Sequence, residues 1–519
     1  MKKGHSRVVF KPYQQNQLSL LPENLEELVP PGHLVRKVNG VIEEMGVEAL
    51  IRRYKGGGAS SFHPKMMLKV LVYGYTQRVY TSRRLAKALR EDVNFMWLSG
   101  RNRPDFRTIN RFRGEVLKGT IDEVFVAVLE YLLEAGYVKY ENYFVDGTKI
   151  ESKANKYQWV WAKSTKRNHE KLEEKIRGLL KDIEEANDAE NEEYGEDDLE
   201  ELGEKGQGQD SEKLKQLVEK LKEKLKQEPR DRKLSQAVKT LEKDYLPRKE
   251  KYKRQEKIFR GRNSYAKTDP DATFMRMKED HMRNGQLKPG YNVQIGTEGQ
   301  FVVGYSLHQR PGDTSCLIPH LEKVGKQLGR FPKRVIGDAG YGSEENYTYL
   351  ERKGVEGYLK YKTFDQEQKR SWRKKRFRVE NFPYDPSRDE FLCPNQKIFT
   401  YQRSRSIRTE NGFETTVRLY ACPDCEGCPW KAQCTRSTGN RWITVNPQLI
   451  NYHQLASERL SSALGKELRS QRYTDVETVF GRLKHNWGFR RFYLRGLEKV
   501  SVEWGLLSIA HNIAKMAAS

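Results

Sequence analysis

The feature that most constrains this chain is a change of period part-way along it. Up to about residue 135 the apolar residues recur at helical spacing; from Tyr143 they fall into short strand-like runs. Residues 143–150 read as a strand, with 157–161 as its expected hairpin mate. A long charged stretch then intervenes. Strand runs resume at 291–295 and 301–305, joined by a turn at Glu298-Gly299, and again at 334–341 and 357–361. Helices are expected from about 315 to 328 and from 344 to 352. Hairpin, helix, strand, helix predicts an α/β fold with a mixed sheet and helices on its faces. Pieces so distant in sequence can meet only by folding, and so can any site at their strand ends.

Around that sheet the chain divides into seven stretches. Residues 1–23 are polar and read as a flexible arm. Residues 24–138 form an all-helical domain: Leu34, Val38, Val41 and Ile42 mark one helix, and Met66, Met67, Val70, Leu71 and Tyr73 a second after Pro64. Ser82 is placed to cap a third with Leu85, Ala88 and Leu89, and Pro104-Asp105 to open a short arginine-rich one. Val124, Val128, Leu129, Leu132 and Leu133 line the last. Arg103, Arg107, Arg111 and Arg113 make this domain a candidate DNA binder of helix-turn-helix type. The first part of the sheet core is 139–164. A charged helical insertion spans 165–258: its segment 182–204 has 13 acidic residues and no basic one. Leu214, Leu217, Val218, Leu221 and Leu225, then Leu234, Val238 and Leu241, give its amphipathic helices, separated by Pro229 and ended by Pro247. The second core part is 259–361, a basic, cysteine-rich insertion is 362–440, and C-terminal helices fill 441–519.

Charge narrows the partners. With 95 Lys and Arg against 71 Asp and Glu, the chain carries a formal charge of +24, which favours a polyanion. The basic start lacks the apolar run of a secretion signal, and the apolar stretch 504–518 is broken by Ser508, His511, Asn512 and Lys515. A cytoplasmic protein with no membrane partner is the expectation. Lys369, Arg370, Arg373, Lys374, Lys375, Arg376 and Arg378 crowd one segment with Trp372 and Phe377, a candidate clamp on a phosphate backbone. Arg490 and Arg491, set among Trp487, Phe489 and Phe492, suit backbone contact and base stacking, although those aromatics fit a core equally well.

Cysteine use points to metal. Four of the six cysteines are Cys422, Cys425, Cys428 and Cys434, and Zn²⁺ takes four thiolates in a tetrahedron. The candidate ligands are these four, or Cys393 with three of them; an iron–sulfur cluster is disfavoured by the last spacing.

Two carboxylates stand out by position. Asp146 and Asp338 each end a predicted apolar strand beside a glycine, where a rigid sheet edge can aim side chains at a common point. Either could instead serve its turn. Glu477 lies on a helix whose Val476, Val479, Phe480 and Leu483 would face the sheet, with Lys484 two turns further along the same side. Thr474 and Glu477 also fit a capping box, which would occupy the glutamate at a helix start. Three such acids suit phosphodiester chemistry: two Mg²⁺ ions about 3.5–4 Å apart activate water and relieve charge on the leaving oxygen.

With these residues in hand, the sequence resembles the DDE transposases of bacterial insertion sequences, specifically the IS1182 family of the IS4/IS5-like group. The matching stretches are Tyr73-Gly74-Tyr75, Pro104 to Ile109, Val145 to Thr148, Thr268-Asp269-Pro270-Asp271-Ala272, Gly290 to Gln294, Gly337 to Gly342, Val476 to Lys484, and Arg491-Phe492 with Arg495-Gly496-Leu497. The resemblance implies an RNase H-like core interrupted by insertions, with Asp146, Asp338 and Glu477 as its triad. On the metal chemistry above, Asp146 is the acid expected to be shared between two Mg²⁺ ions, for which Mn²⁺ substitutes, with Asp338 and Glu477 flanking. It implies binding of terminal inverted repeats, hydrolysis at element ends and joining of 3′-OH ends to target DNA, by a homodimer assembled on double-stranded DNA in the bacterial nucleoid. Relatives carry Tyr and Arg seven and four positions before the glutamate and Lys seven after it. Lys484 fits; the other positions hold Ser470 and Tyr473, while Arg469 and Arg472 stand one residue off. Arg472 is therefore a candidate phosphate contact. A metal-dependent nuclease without strand transfer and a non-catalytic or domesticated DNA-binding protein are the competing readings.

Overall fold

The computed structural model describes residues 24–46, 48–54, 61–194, 211–227, 231–277, 286–409 and 411–519. The expected arm 1–23, residues 195–204 of the acidic stretch and Pro229 lie outside the described residues. Two compact units emerge: one takes residues up to Tyr131 with Leu506–Ser519, the other Leu132–Gly505.

The first unit is helical. Helices Leu34–Glu44 and Pro64–Thr76 bury Val35, Val38, Val41, Ile42, Met67, Val70 and Leu71. Pro64 sits in the first turn, where its missing N–H is no loss. Thr81, not Ser82, caps helix Ser82–Glu91. Asp105 accepts the Thr108 amide at 2.7 Å and starts the short helix Phe106–Arg111.

The second unit is built on a six-stranded mixed sheet. Its strands are β1 (Asn142–Glu151), β4 (Thr273–Arg276), β5 (Leu287–Glu298), β6 (Phe301–His308), β7 (Arg334–Gly337) and β8 (Glu356–Leu359); β2 (Trp159–Trp161) and β3 (Ser264–Ala266) form a separate pair. β1 is central, antiparallel to β5 and parallel to β7, which is parallel to β8. β6 and β4 share the outer edge of β5. The β5–β6 hairpin turns on Gly299 and Gln300, with φ of +58° and +64°, the paired left-handed geometry that matches strand twist. Glu298 beside this turn accepts the amides of Lys139, Tyr140, Glu141 and Asn142 at 2.5–2.8 Å and so fixes the entry into β1.

The expected hairpin mate of β1 is not its partner. Trp159–Trp161 pairs with Ser264–Ala266, the two strands that flank the charged insertion. The insertion is thus an excursion that returns to its starting point. Its helices Ala162–Tyr194, Ser211–Gln227, Arg232–Thr240 and Leu246–Phe259 enclose their own core of Leu172, Ile176, Leu214, Leu217, Val218, Leu221, Leu234, Val238, Leu241 and Tyr252. Pro247 does not end this run. A widened π-type turn at Leu241–Tyr245 precedes it, and such a turn accommodates a ring that would clash in a regular helix.

The cysteine-bearing stretch holds a sheet that its polar sequence did not announce. Strands β9 (Tyr384–Asp385), β10 (Glu390–Leu392), β11 (Ile398–Arg408), β12 (Glu414–Ala421) and β13 (Trp442–Val445) pair in simple sequential order. Phe382, Phe391, Phe399, Tyr420, Cys422, Ile443 and Val445 form its core. Trp487, Phe489 and Phe492 are buried too, the latter two packed edge-on against Trp504, so they are core and not a base-stacking platform. Among the described residues no helix is long and apolar enough to cross a membrane.

Candidate active site

The sheet aligns the two aspartates. In the parallel β1–β7 ladder Phe144 is opposite Ile336, so Asp146 and Asp338, each two residues further on, stand level on neighbouring strands and face the same way. Asp146 is not at a strand end as expected but within β1, paired on both sides along the ladder with β5; it is buried and its Oδ1 accepts the Gly147 amide at 2.8 Å. Asp338, just past the end of β7, accepts the Gly340 amide at 2.8 Å, which folds the glycine loop back on the carboxylate.

Glu477 comes from a helix that starts well before it. Ser462 caps helix Ala463–Arg472 by accepting the Gly465 amide at 3.0 Å, and the helix runs on through a π-type turn at Tyr473–Glu477 into Thr478–Gly481. Thr474 bonds back to the Gln471 carbonyl, so the capping-box reading of Thr474 and Glu477 is excluded. Val476 and Val479 are buried, and Asp475 accepts the Gln300 amide at 3.0 Å, tying the helix to the β5–β6 turn. Burial pushes the Asp475 carboxyl above its ordinary range.

The π-type turn also places Arg472. Each such turn takes up one extra residue, so a side chain five positions before Glu477 lies over it as one four positions before would in a regular helix. The Arg472 guanidinium meets all three acids. Nη2 is 3.2 Å from Asp146 Oδ2 and 3.9 Å from Asp338 Oδ2, and Nη1 is 3.5 Å from Glu477 Oε1. Two oxygens reached by one nitrogen cannot be farther apart than those two lengths end to end, so the triad converges. Lys484 is buried nearby and donates to Thr148 Oγ1 at 3.0 Å; Thr148 shares the β1 face of Asp146.

Behind the aspartates is a polar network that sequence reasoning missed. Asn292 and Gln294 both donate to Asp313 Oδ1 at 2.8 Å, and Tyr341 donates to Gln294. Burial first, then the carboxylates of Asp146, Asp313 and Asp338, keep the Tyr341 phenol protonated. Thr314 donates to the Gly340 carbonyl at 2.6 Å. A second hub is Asp269, which accepts from Ser152, from Tyr291 and from the Gly496 amide. The 268–272, 290–294 and 337–342 motifs carry Asp269, Tyr291, Asn292, Gln294 and Tyr341, but nothing in their spacing reveals a supporting role.

Among the described residues, no three His, Cys, Asp or Glu side chains close into a ready-made metal cage. At the three acids a guanidinium stands between the carboxylates; hard oxygen donors converging on one point suit a divalent metal. The cysteines are all free thiols. Cys393, Cys422, Cys425, Cys428 and Cys434 line one small cavity. The amides of Asn395 and Lys397 donate to Cys393 Sγ, each at 3.3 Å, and that of Arg441 to Cys425 Sγ at 3.4 Å. Burial pushes the Cys422 thiol up to about 11 and Cys316, which is core, to about 12.

The basic candidates fall into three groups. Arg103, Arg107 and Arg111 are exposed, as are Lys369, Arg370, Lys374, Lys375, Arg376 and Arg378; the Arg373 side chain lies outside the described residues. Arg378 stacks on buried Trp372 and Arg376 on Trp430. Arg491 donates to the carbonyls of Ser152 and Ala154, and Arg490 to that of Lys484. Arg113 is a correction: it is 3 % exposed, with Nη1 on the Tyr80 carbonyl at 2.7 Å, and is an interior brace, not a DNA contact.

Comparison with known proteins gives two family matches. Residues 392–517 match a family described as a transposase DDE domain, and residues 23–115 one described as a transposase domain (DUF772). No curated protein and no solved structure matches the chain. The matched stretches hold Glu477 and Lys484 but neither Asp146 nor Asp338, which are joined to them by geometry alone.

Proposed function

The two matched domains make this chain a DDE transposase of the insertion-sequence type, consistent with the IS1182 family, and from that premise we propose that Asp146, Asp338 and Glu477 are its catalytic triad. The observation that carries the reading is the convergence of all three carboxylates on the Arg472 guanidinium from two strands and a helix. The strand order supports an RNase H-like core: the second unit's long hairpin precedes two parallel crossover strands, with the first strand central.

Asp146, the most buried of the three, would be shared by two Mg²⁺ ions, with Asp338 and Glu477 flanking; Mn²⁺ would substitute. Bound there, the ions supply Lewis-acid activation of water and neutralise the leaving 3′ oxygen. The protein's own residues do the rest. Lys484, held by Thr148, presents a fixed cation to a terminal phosphate. The exposed cations of 369–378 and Arg103, Arg107 and Arg111 hold the backbone of element-end and target DNA. The chain binds terminal inverted repeats, hydrolyses the element ends and joins the 3′-OH ends to target DNA, as a homodimer assembled on that DNA. The cysteine cavity is read as a structural Zn²⁺ site, supported by the N–H···S bonds at Cys393 and Cys425, and zinc content by elemental analysis tests it.

The decisive experiment incubates the purified chain with Mg²⁺ and labelled element-end DNA, wild type beside Asp146→Asn. Metal-dependent nicking and joined products in the wild type only are expected. Cleavage undiminished in the variant overturns the site; cleavage without joining identifies a nuclease.

A further inference from the structure

Three carboxylates brought together without a cation repel one another, and the buried one, Asp146, lacks solvent to screen it. Arg472 answers that problem with one side chain. Its position is also the position a metal needs: a Mg²⁺ ion must come within about 2.0–2.1 Å of a carboxylate oxygen, and Nη2 stands 3.2 Å from Asp146 Oδ2 on the side facing the other two acids. Guanidinium and dications cannot share that space, by size or by charge.

A second observation concerns the rest of the side chain. The Arg472 side chain is 11 % exposed, and its Nε is buried with no hydrogen-bond partner among the described residues. A guanidinium settled for good would have all its donors met. At the triad end it is held by ion pairs of 3.2–3.9 Å, one of them also a long hydrogen bond from Nη1 to Glu477 Oε1 at 3.5 Å, and not by a close two-pronged bond.

We propose that Arg472 is the resident counter-ion of the metal-free triad, and that divalent metal enters by displacing it. The inference rests on the triad reading above and adds a property to it. Arg472 keeps the acids convergent in the absence of metal, at the cost of competing with the metal for them. Once displaced, the same side chain is released beside the site with its charge free for a phosphate.

The test is Mn²⁺ binding to the full-length, DNA-free protein, followed by titration calorimetry and by the electron-paramagnetic-resonance signal of free Mn²⁺. Arg472→Gln should bind Mn²⁺ at least about tenfold tighter than wild type, equivalent to about 1.4 kcal/mol. It should also melt at lower temperature in EDTA and regain the loss when Mn²⁺ is added. Arg472→Lys, which keeps a cation, should fall between the two and serves if the glutamine variant does not fold without metal. Unchanged or weaker Mn²⁺ binding in both variants overturns the proposal. Asp146→Asn separates the two levels. If wild-type Mn²⁺ binding is lost in Asp146→Asn but indifferent to Arg472, only the counter-ion role fails. If binding is indifferent to Asp146 as well, the triad reading fails with it.

Discussion

Asp146 and Asp338 stand level on adjacent parallel strands, two residues beyond the paired Phe144 and Ile336. Glu477 reaches the same point from a helix, and the acid two residues before it, Asp475, points instead at the β5–β6 turn. The two neighbours should therefore separate cleanly. Glu477→Gln should lower the DNA-cleavage rate at least about a thousandfold, a loss of some 4 kcal/mol in transition-state stabilisation. Asp475→Asn keeps an oxygen for the Gln300 amide and should stay within about tenfold of wild type. Single-turnover cleavage of element-end DNA measures both, and equal losses would contradict the assignment.

Gly147 tests how tightly the site is supported from behind. A Cβ there would fall 2.2 Å from Gln294 Nε2 and 2.4 Å from Asp313 Oδ1, well inside contact distance. Both atoms belong to the network that also holds Tyr341, so neither can retreat without breaking a bond. Gly147→Ala should cost about 2–3 kcal/mol of stability by denaturant unfolding, the upper range for overpacking. It should also weaken metal binding, because Asp146 is the preceding residue.

What was legible in the sequence follows from what is local. The apolar runs of β1, β5, β6 and β7 announce themselves because both faces of these strands are buried. β11 did not, since ten of its eleven residues keep some exposure and no alternation survives. The partner of Trp159–Trp161 was hidden by the helical excursion between them. Arg472 looked one residue out of place because a widened turn cannot be read from spacing; it is the turn, not the residue, that departs from the regular pattern. Arg113 shares its local sequence with exposed arginines, and only the distant Tyr80 carbonyl that it bonds sets it apart.

A chain of hydrogen bonds running from the interior to half-buried His308 should make the second unit acid-sensitive. Tyr143 bonds to His320, His320 to Ser306, and Ser306 to His308. Burial lowers the His308 pKa to about 4 and puts His320 well below its ordinary value. In the unfolded chain both titrate near 6.5. The unfolded state then binds more protons between about 6.5 and 4, so stability is full above pH 6.5 and declines as pH falls through that window. His308→Gln should flatten part of the decline in unfolding free energy between pH 7 and 4.5, and an unchanged slope would remove His308 as a cause.

The N-terminal arginines allow a last discrimination, between cations that face solvent and one that does not. Arg103, Arg107 and Arg111 are exposed, whereas Arg113 lies inside, bonded to the Tyr80 carbonyl. Replacing an exposed arginine that touches a phosphate removes about one counterion-release event. The slope of log affinity against log salt should fall by about 0.9 for each of the three changed to Ala, with stability unaltered. Arg113→Ala should do the reverse. It strands the Tyr80 carbonyl and opens a cavity, at a cost of about 2–4 kcal/mol, while leaving the salt slope of whatever folds unchanged. Fluorescence anisotropy on inverted-repeat DNA across a salt series, beside urea unfolding, reads both quantities. A reduced slope in Arg113→Ala would mean that the interior brace opens to meet DNA.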